Sequence, residues 1–235
     1  MNMDENKTKE RFVAFLDIMG FKERVFSSEA KELYQDFSTF KEKIVFEINK
    51  IEDGTDDFGG KEEGESSTSG LMEEPLIDIS QFSDSIFLYT RDSTRKCLVS
   101  LTNVVKKILL FAINYERPIP LRGAIAKGKM TCDSSKNVIF GPALIDAYQL
   151  EENVIYYGIV VHHTAEADII AYKDDYRMNK LPFRSGRINH YELVWYREHE
   201  NEVKERLKQV RLTTSESPRR YIDNTFEIIG ESDTA

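Results

Sequence analysis

Apolar and polar positions follow two periods along this chain, and each change of period marks an element. Arg11 to Ile18 (RFVAFLDI) is a continuous apolar run too short for a helix, the pattern of a strand buried on both faces, and it ends at Asp17 and Gly20. Leu33, Phe37, Phe40, Ile44 and Ile48 then recur at spacings of three and four, which predicts one amphipathic helix from about Lys22 to Lys50. PLIDISQF and SIFLYT flank a short polar break at Ser83-Asp84, so the pair reads as a tight hairpin with Asp84 at its tip. Ser93 and Thr94 are N-cap candidates for a helix that carries Leu98, Leu101, Val105, Ile108 and Ala112 on one face and runs to about Glu116.

Pro118 and Pro120 stop that helix. Leu121 to Thr131 (LRGAIAKGKMT) reads as a strand with small residues where another segment approaches its backbone. Gly141-Pro142 opens a helix striped by Ala143, Ala147 and Leu150. Ile155 to Val161 and His190 to Tyr196 are further strands, with a short helix from about Thr164 to Tyr172 between them. A charged helix from about Glu198 to Val210 and a polar tail over 211–235 complete the chain. The order β-α-(loop)-β-β-α-β-α-β-α-β-α predicts an α+β domain on a mostly antiparallel sheet.

Length and composition narrow the class. The 235 residues suffice for one large domain with a core of its own. Cys97 and Cys132 form no CxxC or Cys/His pattern, so they read as buried thiols rather than as a disulfide or zinc framework. The longest apolar runs, such as Ile108 to Ile113, are far short of the roughly 20 residues of a membrane span. The polar start MNMDENKTKE has no signal-peptide pattern. The expectation is a cytoplasmic protein without a membrane partner. A net charge of −9 argues against a nucleic-acid partner, whose phosphates demand cations. Most of that charge lies between Glu52 and Glu74, where nine carboxylates face Lys61 alone. This Gly- and Ser-rich acidic stretch reads as a mobile loop, and its spacing does not match an EF-hand.

Two carboxylates stand where the pattern leaves them exposed to question. Asp17 interrupts an apolar strand, and Asp84 sits on the tip of an apolar hairpin. If their strands are neighbours, both reach one sheet edge and can hold Mg²⁺ or Mn²⁺ with substrate phosphates completing the shell. The other readings are a helix N-cap for Asp17 and a turn residue for Asp84. Gly20 offers turn amides that could face phosphate. Arg122 either pairs with a phosphate or caps the sheet edge. His162, His163 and His190 match neither a zincin nor a nucleophile-base spacing, and Tyr148 reads as a packing residue.

FLDIMGF (Phe15 to Phe21), FSDSIFLY (Phe82 to Tyr89), LRGAIAKG (Leu121 to Gly128) and GPALIDAYQLE (Gly141 to Glu151), in this order, resemble the class III nucleotidyl cyclase catalytic domain. Within it the chain looks most like the pyrimidine cyclases of the bacterial antiphage system Pycsar. The resemblance covers about Arg11 to Thr164 and implies a ferredoxin-like βαββαβ core over 11–164. The strand and charged helix of 165–210, which the motifs do not place, are expected as an extension of the same domain. It implies a head-to-tail homodimer with sites at the interface. It further implies Asp17, Asp84 and the Ile18 carbonyl as metal ligands, and the turn Met19, Gly20 and Phe21 as the triphosphate cradle.

There are departures from the purine cyclases of the family. Their Asn and Arg on the helix matched by Gly141 to Glu151 fall on Ile145 and Gln149, and their adenine-reading lysine falls on Ser80. Arg122 becomes a substitute for the lost positive charge and Ser80 a base contact. The resulting expectation is a Mn²⁺- or Mg²⁺-dependent cyclase that turns UTP into 3′,5′-cyclic UMP and pyrophosphate, a messenger for a separate effector protein. The alternatives are a cytidylate cyclase and a catalytically inactive cyclase-like module. A haloacid-dehalogenase-type phosphatase would need a second aspartate where Met19 stands.

Overall fold

The computed structural model of the chain describes residues 7–52, 75–133, 136, 138–214 and 217–230. The expected acidic loop beyond Glu52 lies outside them.

β1 (Thr8–Ile18) is the centre of the first half of the fold because every second side chain can be buried on each of its two faces. It pairs antiparallel with β3 (Ser85–Thr90) on one side and with β4 (Leu121–Asp133) on the other. β2 (Ile77–Phe82) adds to β3 through the expected hairpin, and β5 (Val138–Phe140) folds back on β4. Beyond β4 come β6 (Gly158–Val161), parallel to it, and the antiparallel pair β8 (Gly186–Leu193) and β7 (Tyr176–Phe183). The sheet has eight strands in the order β2-β3-β1-β4-β6-β8-β7, with β5 off this path. β4-β1-β3-β2 is the ferredoxin-like half, and β6 is joined to β4 by the only parallel pairing among the described strands.

Seven helices clothe the sheet: α1 (Phe21–Ser27), α2 (Ala30–Glu52), α3 (Arg95–Asn114), α4 (Pro142–Glu151), α5 (His163–Ile169), α6 (Glu200–Thr213) and α7 (Ser217–Gly230), counted among the described residues. Phe12, Ala14, Leu16 and Ile18 of β1 belong to the main core with Phe40 and Ile44 of α2 and Leu98, Leu101 and Val105 of α3. Val13 and Phe15, on the opposite face, form a smaller core with Tyr89, Ala126 and Met130, closed by Ala143 and Ala147 of α4. Small residues matter where β1, β4 and β6 meet. A Cβ on Gly123 would lie 2.4 Å from the Phe15 carbonyl oxygen and 2.8 Å from Ile159. α3 is the one described helix long and apolar enough to cross a membrane, and 61% of that window is buried inside the fold.

Several boundaries differ from the sequence reading. The single helix expected over Lys22 to Lys50 is broken, because Ser28 takes an extended backbone (φ −111°, ψ 152°) between α1 and α2. β5 has three residues, too few to show a period, and β7 (YRMNKLPF) hides behind its polar residues and Pro182 at the sheet edge. The strand expected over His190 to Tyr196 starts earlier, at Gly186. Residues 211–235 are not simply a polar tail, since they contain α7, which buries Ile222, Thr225, Ile228 and Ile229. Cys97 is buried as expected, but Cys132 is only half-buried; neither is in a disulfide.

Candidate active site

Alternation along β1 puts Asp17 on the same face as Phe15 and Val13, which is the face α4 covers. Its register partners are Ser85 of β3 and Arg122 of β4, so Asp17 lies one residue from the strand end with a cation directly across. Asp84 occupies the second turn position of the β2-β3 hairpin, after Ser83, whose backbone is left-handed (φ 56°). The Ile18 amide donates to the Asp84 carbonyl at 3.0 Å, which fastens the hairpin turn to the end of β1. Both carboxylates therefore stand at one sheet edge, as the sequence reading requires. Burial raises the pKa of the Asp17 carboxyl, Arg122 pulls it back down, and the neighbouring Asp84 charge raises it further.

Arg122 is almost fully buried, at 8% exposure. Its Nε donates to Asp17 Oδ2 at 3.3 Å and lies 2.6 Å from Glu151 Oε1. The latter contact is off the line of N–H donation, so Glu151 packs against the guanidinium without accepting a hydrogen bond from it. Nη1 donates to the Val154 carbonyl at 3.0 Å and to the Tyr221 hydroxyl at 3.4 Å. Burial pushes the Glu151 carboxyl up to about 8, against the pull of Arg122. Here the short ion-pair distance and the burial oppose each other; burial dominates, because the carboxyl is 2% exposed with Asp17 also near. Arg122 thus neutralises an aspartate rather than presenting an open guanidinium.

The other sequence candidates fall around this edge. Ile18 is buried, and the Met19 amide donates to the Pro120 carbonyl at 2.9 Å. Gly20 (φ 73°) has open space where a side chain would be and leads into α1. Phe21 turns its ring onto Phe37, 5.2 Å away, so only its backbone is left for the turn. Ser80 pairs with Phe87, itself opposite Phe15, and so shares the Asp17 face, whereas Gln81 points to the other face. Tyr148 sets its ring against Phe15 and donates its hydroxyl to Glu152 at 2.9 Å. His162, His163 and His190 gather at the opposite end of β6 from Arg122, where the His162 amide donates to Ile125. Glu151 and Tyr221 were not named as site residues. Glu151 closes the GPALIDAYQLE motif with no pattern that marks it as a site residue, while Tyr221 lies in a stretch whose surroundings are polar.

The donor set suits a hard divalent cation. Two carboxylates and backbone oxygens at an accessible edge are ligands of the Mg²⁺ and Mn²⁺ kind. Among the described residues no group of three or more His, Cys, Asp or Glu is placed to hold a metal ion, so substrate and backbone oxygens would have to complete the shell.

No family model matches the sequence. No curated protein matches it either. Solved structures do. The catalytic core of a rhodopsin-guanylyl cyclase with converted specificity, in complex with ATPαS, is similar with a TM-score of 0.58 at 12% identity, over 80% of this chain and 97% of that one. An adenylate/guanylate cyclase/hydrolase from Silicibacter pomeroyi overlaps with a TM-score of 0.48 at 14% identity, over 80% and 98% of the two chains. The chain therefore has the fold of a class III nucleotidyl cyclase catalytic core.

Proposed function

We propose that this protein is a metal-dependent nucleotidyl cyclase that converts UTP into 3′,5′-cyclic UMP and pyrophosphate as a messenger in bacterial antiphage defence. The observation that carries the cyclase reading is the meeting of Asp17 and Asp84 at one edge of a cyclase-type sheet, fastened by the 3.0 Å bond from Ile18 to Asp84. Asp17, Asp84 and the Ile18 carbonyl would hold Mg²⁺ or Mn²⁺. Such an ion supplies acidity to the ribose 3′-hydroxyl and charge neutralisation to the triphosphate. Asp17 stays oriented because Arg122 anchors Oδ2 and leaves Oδ1 for ligation. The turn Met19, Gly20 and Phe21 adjoins the carboxylates and would receive the triphosphate, a role supported by the open space at Gly20. The 3′-hydroxyl gives up its proton to water as its oxygen bonds to the α-phosphorus, the bridge to the β-phosphate breaks, and pyrophosphate leaves. No protein nucleophile is required.

The pyrimidine preference is supported by Ser80, a short hydroxyl on the Asp17 face where purine cyclases carry a lysine. Its hydroxyl both donates and accepts, so uracil over cytosine rests on the family resemblance, as do the antiphage role and the separate effector. The second copy of the expected homodimer finds apolar surface near the site: Phe82, on the Asp17 face, is 81% exposed, and Tyr148 and Ile145 of α4 are also exposed. Equimolar ATP, GTP, CTP and UTP with Mn²⁺, followed by mass analysis of the products, tests the reading. Cyclic UMP in excess over cyclic CMP is expected; a cyclic purine nucleotide as the main product overturns the base assignment, and no cyclic product from any of the four overturns the activity.

A further inference from the structure

We propose that α7 is part of the site's supporting wall: Tyr221 positions Arg122, which in turn holds Asp17 in the orientation a divalent cation needs. The inference rests on the metal-site reading above. Tyr221 touches the arginine in two ways. Its hydroxyl accepts from Nη1 at 3.4 Å, and its ring lies 5.8 Å from the guanidinium carbon. The ring also stacks on Tyr157, with centroids 6.0 Å apart.

The same helix is tied to the segment that Arg122 grips. Asn224 Nδ2 donates to the Ile155 carbonyl at 2.6 Å, and Thr225 Oγ1 accepts from the Tyr157 amide at 2.9 Å. Its C-terminal end is pinned separately, where Arg177 donates to the Ile228 carbonyl at 3.1 Å while pairing with buried Glu192. α7 is held at its middle and at its C-terminal end, and Tyr221, one turn before the first of these ties, lies against the arginine.

A guanidinium is a rigid fork that stays charged, so holding one edge fixes where the other points. Val154 and Tyr221 hold Nη1, and that leaves Nε toward Asp17 and Glu151. Groups behind a metal ligand set its orientation and its affinity. Without the ring, Arg122 keeps Glu151 and Val154 but loses the surface that stops it swinging, and Asp17 loses its fixed partner while Asp84 still repels it. The lost quantity is metal affinity.

The test uses the full chain with Mn²⁺ alone and follows paramagnetic broadening of the Ile18 methyl signal, a readout beside Asp17 that needs no turnover. Tyr221→Leu is expected to need about tenfold more Mn²⁺ for half-broadening, the low end of the range for residues behind a metal ligand. Tyr221→Phe keeps the ring and stays within about twofold of wild type. Asp223→Asn, also on α7, breaks the exposed pair with Arg211 of α6 and leaves the midpoint unchanged, whatever it does to melting temperature. If Tyr221→Leu does not fold, Asn224→Ala frees the same turn from Ile155 and is held to the same expectation. A folded variant that takes up Mn²⁺ like wild type, when Asp17→Ala abolishes broadening, overturns the role of α7 alone. Broadening that persists in Asp17→Ala contradicts the metal site and this proposal with it.

Discussion

Glu151 and Asp17 share one arginine, and burial raises the carboxyl pKa of both. The Glu151 carboxyl, raised to about 8 by burial, keeps a proton in the folded chain that the unfolded chain has already lost above the ordinary value of 4.5. Between these values the folded state binds more protons, so Glu151 makes stability fall as pH rises, until the effect levels off above about 8. Glu151→Gln removes this titration. Urea unfolding at pH 5, 6.5 and 8 should show wild type losing stability relative to the variant as pH rises, and parallel curves would count against the protonated Glu151. At this scale the sequence exposed Asp17 and Asp84, because a charge in an apolar strand or hairpin stands out. The burial of Arg122 was not legible, since only the fold brings Glu151, 29 positions later, beneath it. Tyr221 was further out of reach, 99 positions from the arginine it touches.

The β2-β3 hairpin and α7 show how local pattern succeeds or fails for a whole element. Alternating apolar strands around Ser83-Asp84 were readable because period two and a polar break are local signals. Ser83 pays for the turn with a left-handed backbone, so Ser83→Gly should raise stability by up to about 1 kcal/mol in urea unfolding. A loss of stability there would mean the Ser83 side chain is needed in the turn. For α7 the clues were present: Pro218 near the helix start, then Ile222, Phe226 and Ile229 at spacings of four and three. They were obscured by Arg219, Arg220, Asp223 and Glu227 on the outer face. Ile222 is fully buried, and Ile222→Ala should cost about 2–5 kcal/mol in urea unfolding. A change below about 0.5 kcal/mol, the range of surface substitutions, would show that α7 does not dock as described.

For the whole molecule, the ferredoxin-like half was legible because its four strands and two long helices each carry a strong period. The distal half was less so, because β7 is an edge strand with polar residues and a proline. The acidic segment is joined to the sheet across a closed neck, since Glu52 Oε1 accepts from the Leu76 amide at 3.0 Å. Replacing Asp53 to Gly70 with a short Gly/Ser linker should therefore leave melting temperature and turnover near wild type, because closing a shorter loop costs little. A large loss of either would assign that segment a working role. Light scattering at assay concentration should find a dimer, and an active monomer would contradict composite sites. The joint role proposed for Asp17 and Asp84 in UTP cyclisation is measured directly by mass-resolved cyclic UMP formation with Mn²⁺ by wild type, Asp17→Ala and Asp84→Ala. Wild type should form cyclic UMP while both variants fold and form none; product at near wild-type rate in either folded variant would contradict the account.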